Sequence, residues 1–326
     1  MKDTVQNILS ANKGVLALDW SPSTIAKQFD KIGLTSTPEL NRIYRQMLVT
    51  TPNLSNYVSG VILHEETVNQ NLDSGQSFPD FLTSLGISVG VRGDKGGGKY
   101  DKTDEEITLG IEDLKERLTE DFNKGVRFSK WRSCFKITDI YPSKVFLEEN
   151  LNLLVDFARV SHEVGMVPFV EPEVTMNGKH TTTRCAEITV DVLTLLFKKL
   201  QDKGIDITNI ILKTNMVLPG RESGVVAAPL EVAEATLRTF RKSVPSELPG
   251  IVFLSGGQSP DEATNNLNEI IKRKADDPWE ISFSYARALQ EEALNIWKGD
   301  SSKVVEAQEA LTRRLDLVTK ARNGKL

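Results

Sequence analysis

The chain has few of the residues that build metal and disulfide frameworks. Two cysteines, Cys134 and Cys185, and three histidines, His64, His162 and His180, are all it carries in 326 residues. The cysteines are far apart and in no metal-ligand spacing, so the sequence offers neither a disulfide scaffold nor a zinc site and suits a reducing compartment. The histidines are equally isolated from one another, and no metal cofactor is expected. No apolar run approaches the ~18 residues needed to span a bilayer, and "MKDTVQNILSANKG" lacks the uninterrupted apolar core of a secretion signal. A cytoplasmic protein that touches no membrane is the expectation. A basic surface is missing too. The net charge of -5 leaves no electrostatic footprint for nucleic acid, and the short clusters "KRK" (272–274) and "RR" (313–314) read as solvated helix faces. Without a Pro-, Gly- or Ser-rich linker or a tandem repeat, residues 1–326 read as a single domain.

What is present is an ordinary globular composition, 39% hydrophobic and 26% charged, enough to bury a core. Eight short β-branched or apolar runs recur: "VLALD" (15–19), "SGVILH" (59–64), "SVGVRGD" (88–94), "FSKWRSCF" (128–135), "MVPFVEPE" (166–173), "IILKTN" (210–215), "IVFLSGG" (251–257) and "ISFSYAR" (281–287). Between them lie stretches with apolar residues at three- and four-residue spacing, such as 144–165 and 186–204, the second closed by a glycine. Strand and helix alternating eight times predict an α/β fold, a TIM (β/α)8 barrel. The tail 302–326 adds a C-terminal helix with Leu311, Leu315 and Val318 on one face.

The strands turn polar toward their C-terminal ends. Asp19, Arg92, Lys130, Arg132, Glu171, Glu173, Lys213, Ser255 and Arg287 all fall there, on the face where barrel enzymes build their active sites. Side chains two apart on a strand share a face, so Lys130 and Arg132 point together, as do Glu171 and Glu173. A single lysine at a strand end, such as Lys213 in "IILKTNMVLPG", can snorkel to water or pair with a carboxylate. A whole ring of converging charges is a costly way to build a core, which argues for chemistry at Lys213.

Two glycine-rich stretches resemble phosphate loops. "GDKGGGKY" (93–100) fits the first part of a P-loop, but Tyr100 stands where the magnesium-ligating Ser or Thr belongs, so it reads as a flexible loop after the third strand. "FLSGGQSPDEATNNL" (253–267) is stronger. Gly256 and Gly257 let backbone N–H groups approach an oxyanion, and Ser259, Pro260 and Glu262 form an N-cap, N1 and capping-box pattern. The loop follows the seventh strand and Arg287 ends the eighth, the pair that often forms a barrel's phosphate site.

A lysine among apolar residues and near another cation, here Lys130 or Arg132, has its ammonium form destabilised and can attack a ketone as the free amine. The protonated imine that results is an electron sink for making or breaking a neighbouring carbon–carbon bond. Glu171, Glu173 and Asp19 are available to move the protons.

The strings "GVLALDWSPSTIAK", "NRIYRQML", "FSKWRSCFKI", "VPFVEPE", "LKTNMVLPG", "FLSGGQS" and "FSYARALQ" together resemble class I fructose-1,6-bisphosphate aldolases. The resemblance implies a metal-free, cofactor-free homotetramer that cleaves a hexose bisphosphate, its sugar phosphate substrate, into two triose phosphates in glycolysis and gluconeogenesis. It implies Lys213 as the Schiff-base lysine, Glu171 as the acid–base for imine formation, Asp19 beside the C3 and C4 hydroxyls and Lys130 as a cation supporting cleavage. Glu173 and Arg132 would hold the charge network. Ser255, Gly256, Gly257 and Arg287 would bind the ketone-side phosphate, with Ser21, Thr24, Lys27 and Arg92 contacting substrate phosphates. Four positions depart from the family pattern: Gln28 and Arg92 replace an arginine and a lysine near phosphates, Trp20 replaces an acidic residue and Ala286 a glycine. Animal-type members end in a mobile tail with a terminal tyrosine that helps protonate the enamine, whereas the last tyrosine here is Tyr285. A related keto-sugar phosphate, such as fructose 1-phosphate or sedoheptulose 1,7-bisphosphate, and a catalytically silent barrel kept for binding are the competing readings.

Overall fold

The eight β-rich runs form eight parallel strands that close on themselves. The structure, a computed structural model, describes residues 1–101 and 103–326. The barrel strands are β1 (Gly14–Leu18), β2 (Val58–Leu63), β3 (Ser88–Arg92), β4 (Phe128–Phe135), β5 (Val167–Val174), β6 (Ile211–Thr214), β7 (Gly250–Phe253) and β8 (Glu280–Tyr285). Each pairs with its sequence neighbours, and β1 closes the ring on β8 through Val15 opposite Ser284 and Leu16 opposite Tyr285. The predicted runs overshoot at β3, β7 and β8, because Asp94, the Ser255–Gly257 stretch and Arg287 belong to the segments that follow those strands.

Period-two alternation decides what fills the lumen. Val15, Ala17, Phe128, Val167, Phe169, Ile211 and Val252 form one buried apolar cluster, with the Phe128 and Phe169 rings stacked 4.7 Å apart. Two residues further along the same strand faces come Asp19, Lys130, Glu171 and Lys213, so one face of each strand runs from apolar to charged. The apolar layers hold the strands together; burying each Phe, Ile or Val contributes ~1.5–3 kcal/mol. Gly90 is required inside this ring, since a Cβ there would lie 2.2 Å from the Phe128 ring. Val5, Ile8 and Leu9, from helix Lys2–Ile8 and its end, pack on the same cluster and close the N-terminal end of the barrel.

Helices cover the outside. Helix Lys144–Val164 is capped by the Ser143 hydroxyl and stops at Gly165, whose φ of +92° suits a residue without a Cβ. Helix Thr182–Asp202 is likewise followed by Gly204 at φ +65°. The expected C-terminal helix is Val304–Arg322, with Leu311, Leu315 and Val318 buried. Among the described residues no helix is long and apolar enough to cross a membrane.

Two expectations fail. Residues 93–100 are not a flexible loop: Gly97–Lys99 pairs antiparallel with Glu106–Thr108, and the buried Glu105 carboxylate takes the N–H and hydroxyl of Ser143 at 2.8 and 2.7 Å. Glycines hide strand propensity, and the pairing that overrides it comes from residues outside the stretch. Nor is "RR" (313–314) a solvated face throughout. Arg314 is buried and donates to Asp261 Oδ1 (2.8 Å), the Pro260 carbonyl (2.8 Å) and Thr264 Oγ1 (2.9 Å), tying the last helix to the N-terminus of helix Pro260–Arg273.

Candidate active site

The C-terminal mouth of the barrel opens into a cavity of about 390 Å3, lined from Asp19 through Lys130, Glu171 and Lys213 to Ser255, Gly257 and Arg287. At its floor Glu171 links two lysines: Oε1 lies 3.3 Å from Lys213 Nζ and Oε2 lies 3.2 Å from Lys130 Nζ. Lys130 also meets Asp19 Oδ2 at 2.6 Å and Asp94 Oδ2 at 3.9 Å. Arg132 Nε donates to Glu173 Oε2 at 2.5 Å. Of the two cations expected near Lys213, Lys130 lies across the shared Glu171 carboxylate from it, and Arg132 is drawn to Glu173.

Position on the strand explains the convergence. Lys130 and Arg132 share a face of β4, and Glu171 lies directly opposite Arg132 in the register of β5. Lys213 sits in β6 opposite Val252, with Ile211 below it, so its stem is sheathed in apolar side chains while its ammonium reaches the mouth. Lys130, Glu171 and Lys213 are all at least 95% buried, a depth at which isolated charge would be prohibitive. Mutual pairing is what holds them there.

The charge states follow. Burial pushes the Asp19 carboxyl up, but Lys130, with Lys213 and Arg92, outweighs it and holds Asp19 well below the usual carboxylate range. Burial pulls the Lys130 ammonium down, but Asp19, Glu171 and Asp94 together raise it above an ordinary lysine. Asp19 is therefore held as an anion and Lys130 as a cation beside it. Burial pushes the Cys134 thiol up to about 12, so this neighbour of Arg132 stays protonated and offers no rival nucleophile. Glu171 Oε2 has no aligned hydrogen bond despite its ion pair with Lys130, which leaves a lone pair for an incoming hydroxyl.

β1 is anchored where Asp19 emerges. Arg45, almost wholly buried, donates to the Trp20 carbonyl at 3.0 Å while pairing with Glu66 at 2.8 Å, and Gln290 Nε2 donates to the Ala17 carbonyl at 2.7 Å. Trp20 in turn stacks on Tyr44, the ring planes only 10° apart.

The glycine loop takes the form the sequence implies. Ser259 caps helix Pro260–Arg273, with its hydroxyl accepting from the Glu262 N–H and Glu262 returning a bond to the Ser259 N–H. Gly256 has φ +53°. Arg287 Nη2 donates to the Gly256 carbonyl at 2.9 Å and the Gln258 carbonyl at 3.0 Å, and among the described residues the Gly256 and Gly257 N–H groups bond no acceptor, as an anion site requires.

The other anticipated residues divide. Thr24 and Arg92 line the cavity, whereas Ser21 caps helix Pro22–Asp30 and Lys27 is exposed further along it, neither of them a lining residue. Asp94 was not anticipated. Its Oδ1 accepts from Arg92 Nε (2.7 Å) and the Gly96 N–H (3.1 Å), and its Oδ2 accepts the Arg132 N–H at 3.2 Å. It stands two residues beyond Arg92, and the alternation that selected Lys130 and Arg132 would have selected it too. Arg221, Met176 and Asn177 also line the cavity from loops, where no period gives direction. Among the described residues no three of His, Cys, Asp and Glu are grouped to hold a metal ion.

Comparison with known proteins decides the family. The family model for fructose-bisphosphate aldolase class-I matches residues 1–326. The chain belongs to the class-I fructose-bisphosphate aldolase family. It is 40% identical to the probable fructose-bisphosphate aldolase class 1 of Xanthomonas axonopodis pv. citri over 96% of this chain and 94% of that protein. It is also 40% identical to the cytosolic fructose-bisphosphate aldolase 4 of Arabidopsis thaliana, covering 96% of this chain and 80% of the relative. A solved structure of the Plasmodium falciparum aldolase, in complex with TRAP and a small molecule inhibitor, superposes with a TM-score of 0.96 at 39% identity, covering 99% of this chain and 94% of that one. As a class-I aldolase the chain is an enzyme, a carbon–carbon lyase of the imine-forming kind.

Proposed function

We propose that Lys213 is the nucleophile of the reversible cleavage of fructose 1,6-bisphosphate to dihydroxyacetone phosphate and glyceraldehyde 3-phosphate. The observation that carries the assignment is the Glu171 carboxylate shared between Lys213 and Lys130, with Asp19 on the far side of Lys130. Glu171 Oε1 takes a proton from Lys213 Nζ, and the free amine adds to the C2 ketone. Glu171 returns that proton to the carbinolamine hydroxyl, which leaves as water, and a protonated imine remains. Asp19 accepts the proton of the C4 hydroxyl as the C3–C4 bond breaks. The C3–C4 bonding pair forms a C2=C3 double bond while the C=N π pair passes to nitrogen, giving an enamine, and C4 departs as the aldehyde. Lys130, 2.6 Å from Asp19, stabilises the negative charge that develops along this path. Protonation of the enamine by Glu171 or the substrate phosphate, then hydrolysis, frees Lys213.

Glu173 and Arg132 hold each other at the rim of this network. The Ser255–Gly257 loop and Arg287 take the ketone-side phosphate, and Arg92 with Ser21, Thr24 and Lys27 takes the other. The whole chain acts as one domain in the cytoplasm, a placing supported by its two unpaired cysteines, and as a homotetramer, on the strength of the family resemblance. Sedimentation equilibrium tests the assembly.

Borohydride reduction in the presence of fructose 1,6-bisphosphate, followed by peptide mass mapping, tests the chemistry. A triose phosphate adduct on the peptide containing Lys213 is expected, and its absence from the Lys213→Met protein. An adduct on Lys130, or none at all, would refute the assignment.

A further inference from the structure

The cavity holds more positive charge than its own carboxylates neutralise. Six cations line it, Arg92, Lys130, Arg132, Lys213, Arg221 and Arg287, whereas its carboxylates are Asp19, Glu171 and Glu173, with Asp94 behind them. Lys130, Lys213, Arg92 and Arg132 are all paired with those four acids. The surplus is Arg287, whose side-chain contacts are to neutral carbonyls, and Arg221, which among the described residues bonds no carboxylate.

Arg221 is held by backbone bonds between two loops. Three consecutive N–H groups, of Gly220, Arg221 and Glu222, donate to the carbonyls of His180 (2.8 Å), Met176 (2.8 Å) and Gly178 (2.9 Å), clipping the segment after β6 onto the segment after β5. The guanidinium then reaches Gly257. A Cβ on that glycine would lie 3.2 Å from Arg221 Nη2 and 2.9 Å from Met176 Sδ, so the close approach depends on the missing side chain. A phosphate dianion carries about two charges at neutral pH, which the two surplus guanidiniums match.

We propose that Arg221 is a second arginine for the ketone-side phosphate, completing with Arg287 and the Gly256–Gly257 backbone a site specific for phosphorylated ketones. The inference rests on the reading of Lys213 as the imine lysine. It makes the enzyme more selective for a phosphate on C1 than the loop and Arg287 alone would be, because a guanidinium adds paired, charge-assisted hydrogen bonds. Arg221 takes no part in the proton transfers.

The test compares borohydride trapping of dihydroxyacetone phosphate and of unphosphorylated dihydroxyacetone by the wild-type, Arg221→Gln and Arg221→Lys proteins. The half-saturating concentration of the phosphate ester should rise about tenfold in Arg221→Gln, as expected for loss of charge-assisted hydrogen bonds, and recover partly in Arg221→Lys. That of dihydroxyacetone should not change. An unchanged value for the phosphate ester in Arg221→Gln, or an equal rise for both ketones, would overturn the inference while leaving Lys213 as the nucleophile. A wild-type protein that traps neither ketone would overturn both.

Discussion

Lys130 Nζ lies 2.6 Å from Asp19 Oδ2, joining β4 to the end of β1, two strands that are not neighbours in the barrel. Each group stabilises the charged form of the other against burial. The folded-state pKa of Asp19 is depressed, so its contribution to stability is present above the unfolded carboxyl value of about 4 and is lost as pH falls through the folded one. That of Lys130 is raised, so its contribution is present below the unfolded value of about 10.4 and is lost as pH rises through the folded one. Both are fully present across the neutral range.

The Lys130→Met protein should lose nearly all cleavage activity and about 3–5 kcal/mol of stability at pH 7, because it leaves buried carboxylates without their cation. At pH 5 the deficit should shrink, since an Asp19 that has lost Lys130 regains a higher pKa and takes up a proton. Urea unfolding at the two pH values checks this. Equal deficits would mean that Asp19 is satisfied by Lys213 and Arg92 alone.

Asp94 sits beside Arg92 in the site and fixes four donors from three residues, Arg92, Gly96 and Arg132. Asparagine has the same shape but turns one oxygen into a donor, facing either the Arg132 N–H or the Arg92 guanidinium. The mismatch costs ~1–3 kcal/mol, which should appear mainly as a KM for fructose 1,6-bisphosphate raised about tenfold or more, because Arg92 loses its direction. Steady-state kinetics on Asp94→Asn would contradict this by showing a fall in kcat with KM unchanged.

The parts of the molecule legible in the sequence are those governed by a short period. Alternation along β4 and β5 placed Lys130, Arg132, Glu171 and Glu173 on shared faces, and the barrel turned those faces inward. Capping chemistry placed Ser259 and Glu262 at a helix start, as found. What escaped is set by partners distant in sequence. Nothing local to Gly97–Lys99 announces Glu106–Thr108 across from it, and nothing local to Arg314 announces the carbonyl of Pro260. Arg221 lies in a segment whose course is fixed by backbone bonds to residues 176–180. Ser21 and Lys27 were singled out by motif resemblance alone, and in the structure one caps helix Pro22–Asp30 while the other is exposed further along it.

Arg314 gives a prediction about stability alone. Its guanidinium satisfies the Pro260 carbonyl, Thr264 Oγ1 and Asp261 Oδ1, and no part of it lines the active cavity. Arg314→Met keeps the stem and removes the donors, and should cost about 2 kcal/mol, since hydrogen bonds to charged groups contribute ~1.5–3 kcal/mol. The kcat should stay near wild type. Thermal unfolding and steady-state kinetics on the same preparation separate the two effects, and a selective loss of phosphate affinity would show instead that this clamp shapes the loop before Ser259.

The last residues bear on how the enamine is protonated. Tyr285 is wholly buried with its hydroxyl donating to the Ala263 carbonyl at 3.0 Å, and burial pushes its pKa above the ordinary phenol value. It is a fixed structural donor and cannot serve the reacting carbon. Leu326 is held outside the barrel: its N–H donates to Asn268 Oδ1 at 3.1 Å and its carbonyl accepts from Asn268 Nδ2 at 3.2 Å and Lys272 Nζ at 2.5 Å. Both partners lie on helix Pro260–Arg273, and none of residues 324–326 lines the cavity. On the proposed reading, in which Glu171 or the substrate phosphate protonates the enamine, deleting Gly324 to Leu326 should leave turnover within about twofold, the scale of a surface change that touches no catalytic group. A tenfold or larger loss of kcat on fructose 1,6-bisphosphate would mean that this segment leaves Asn268 and enters the site during the reaction.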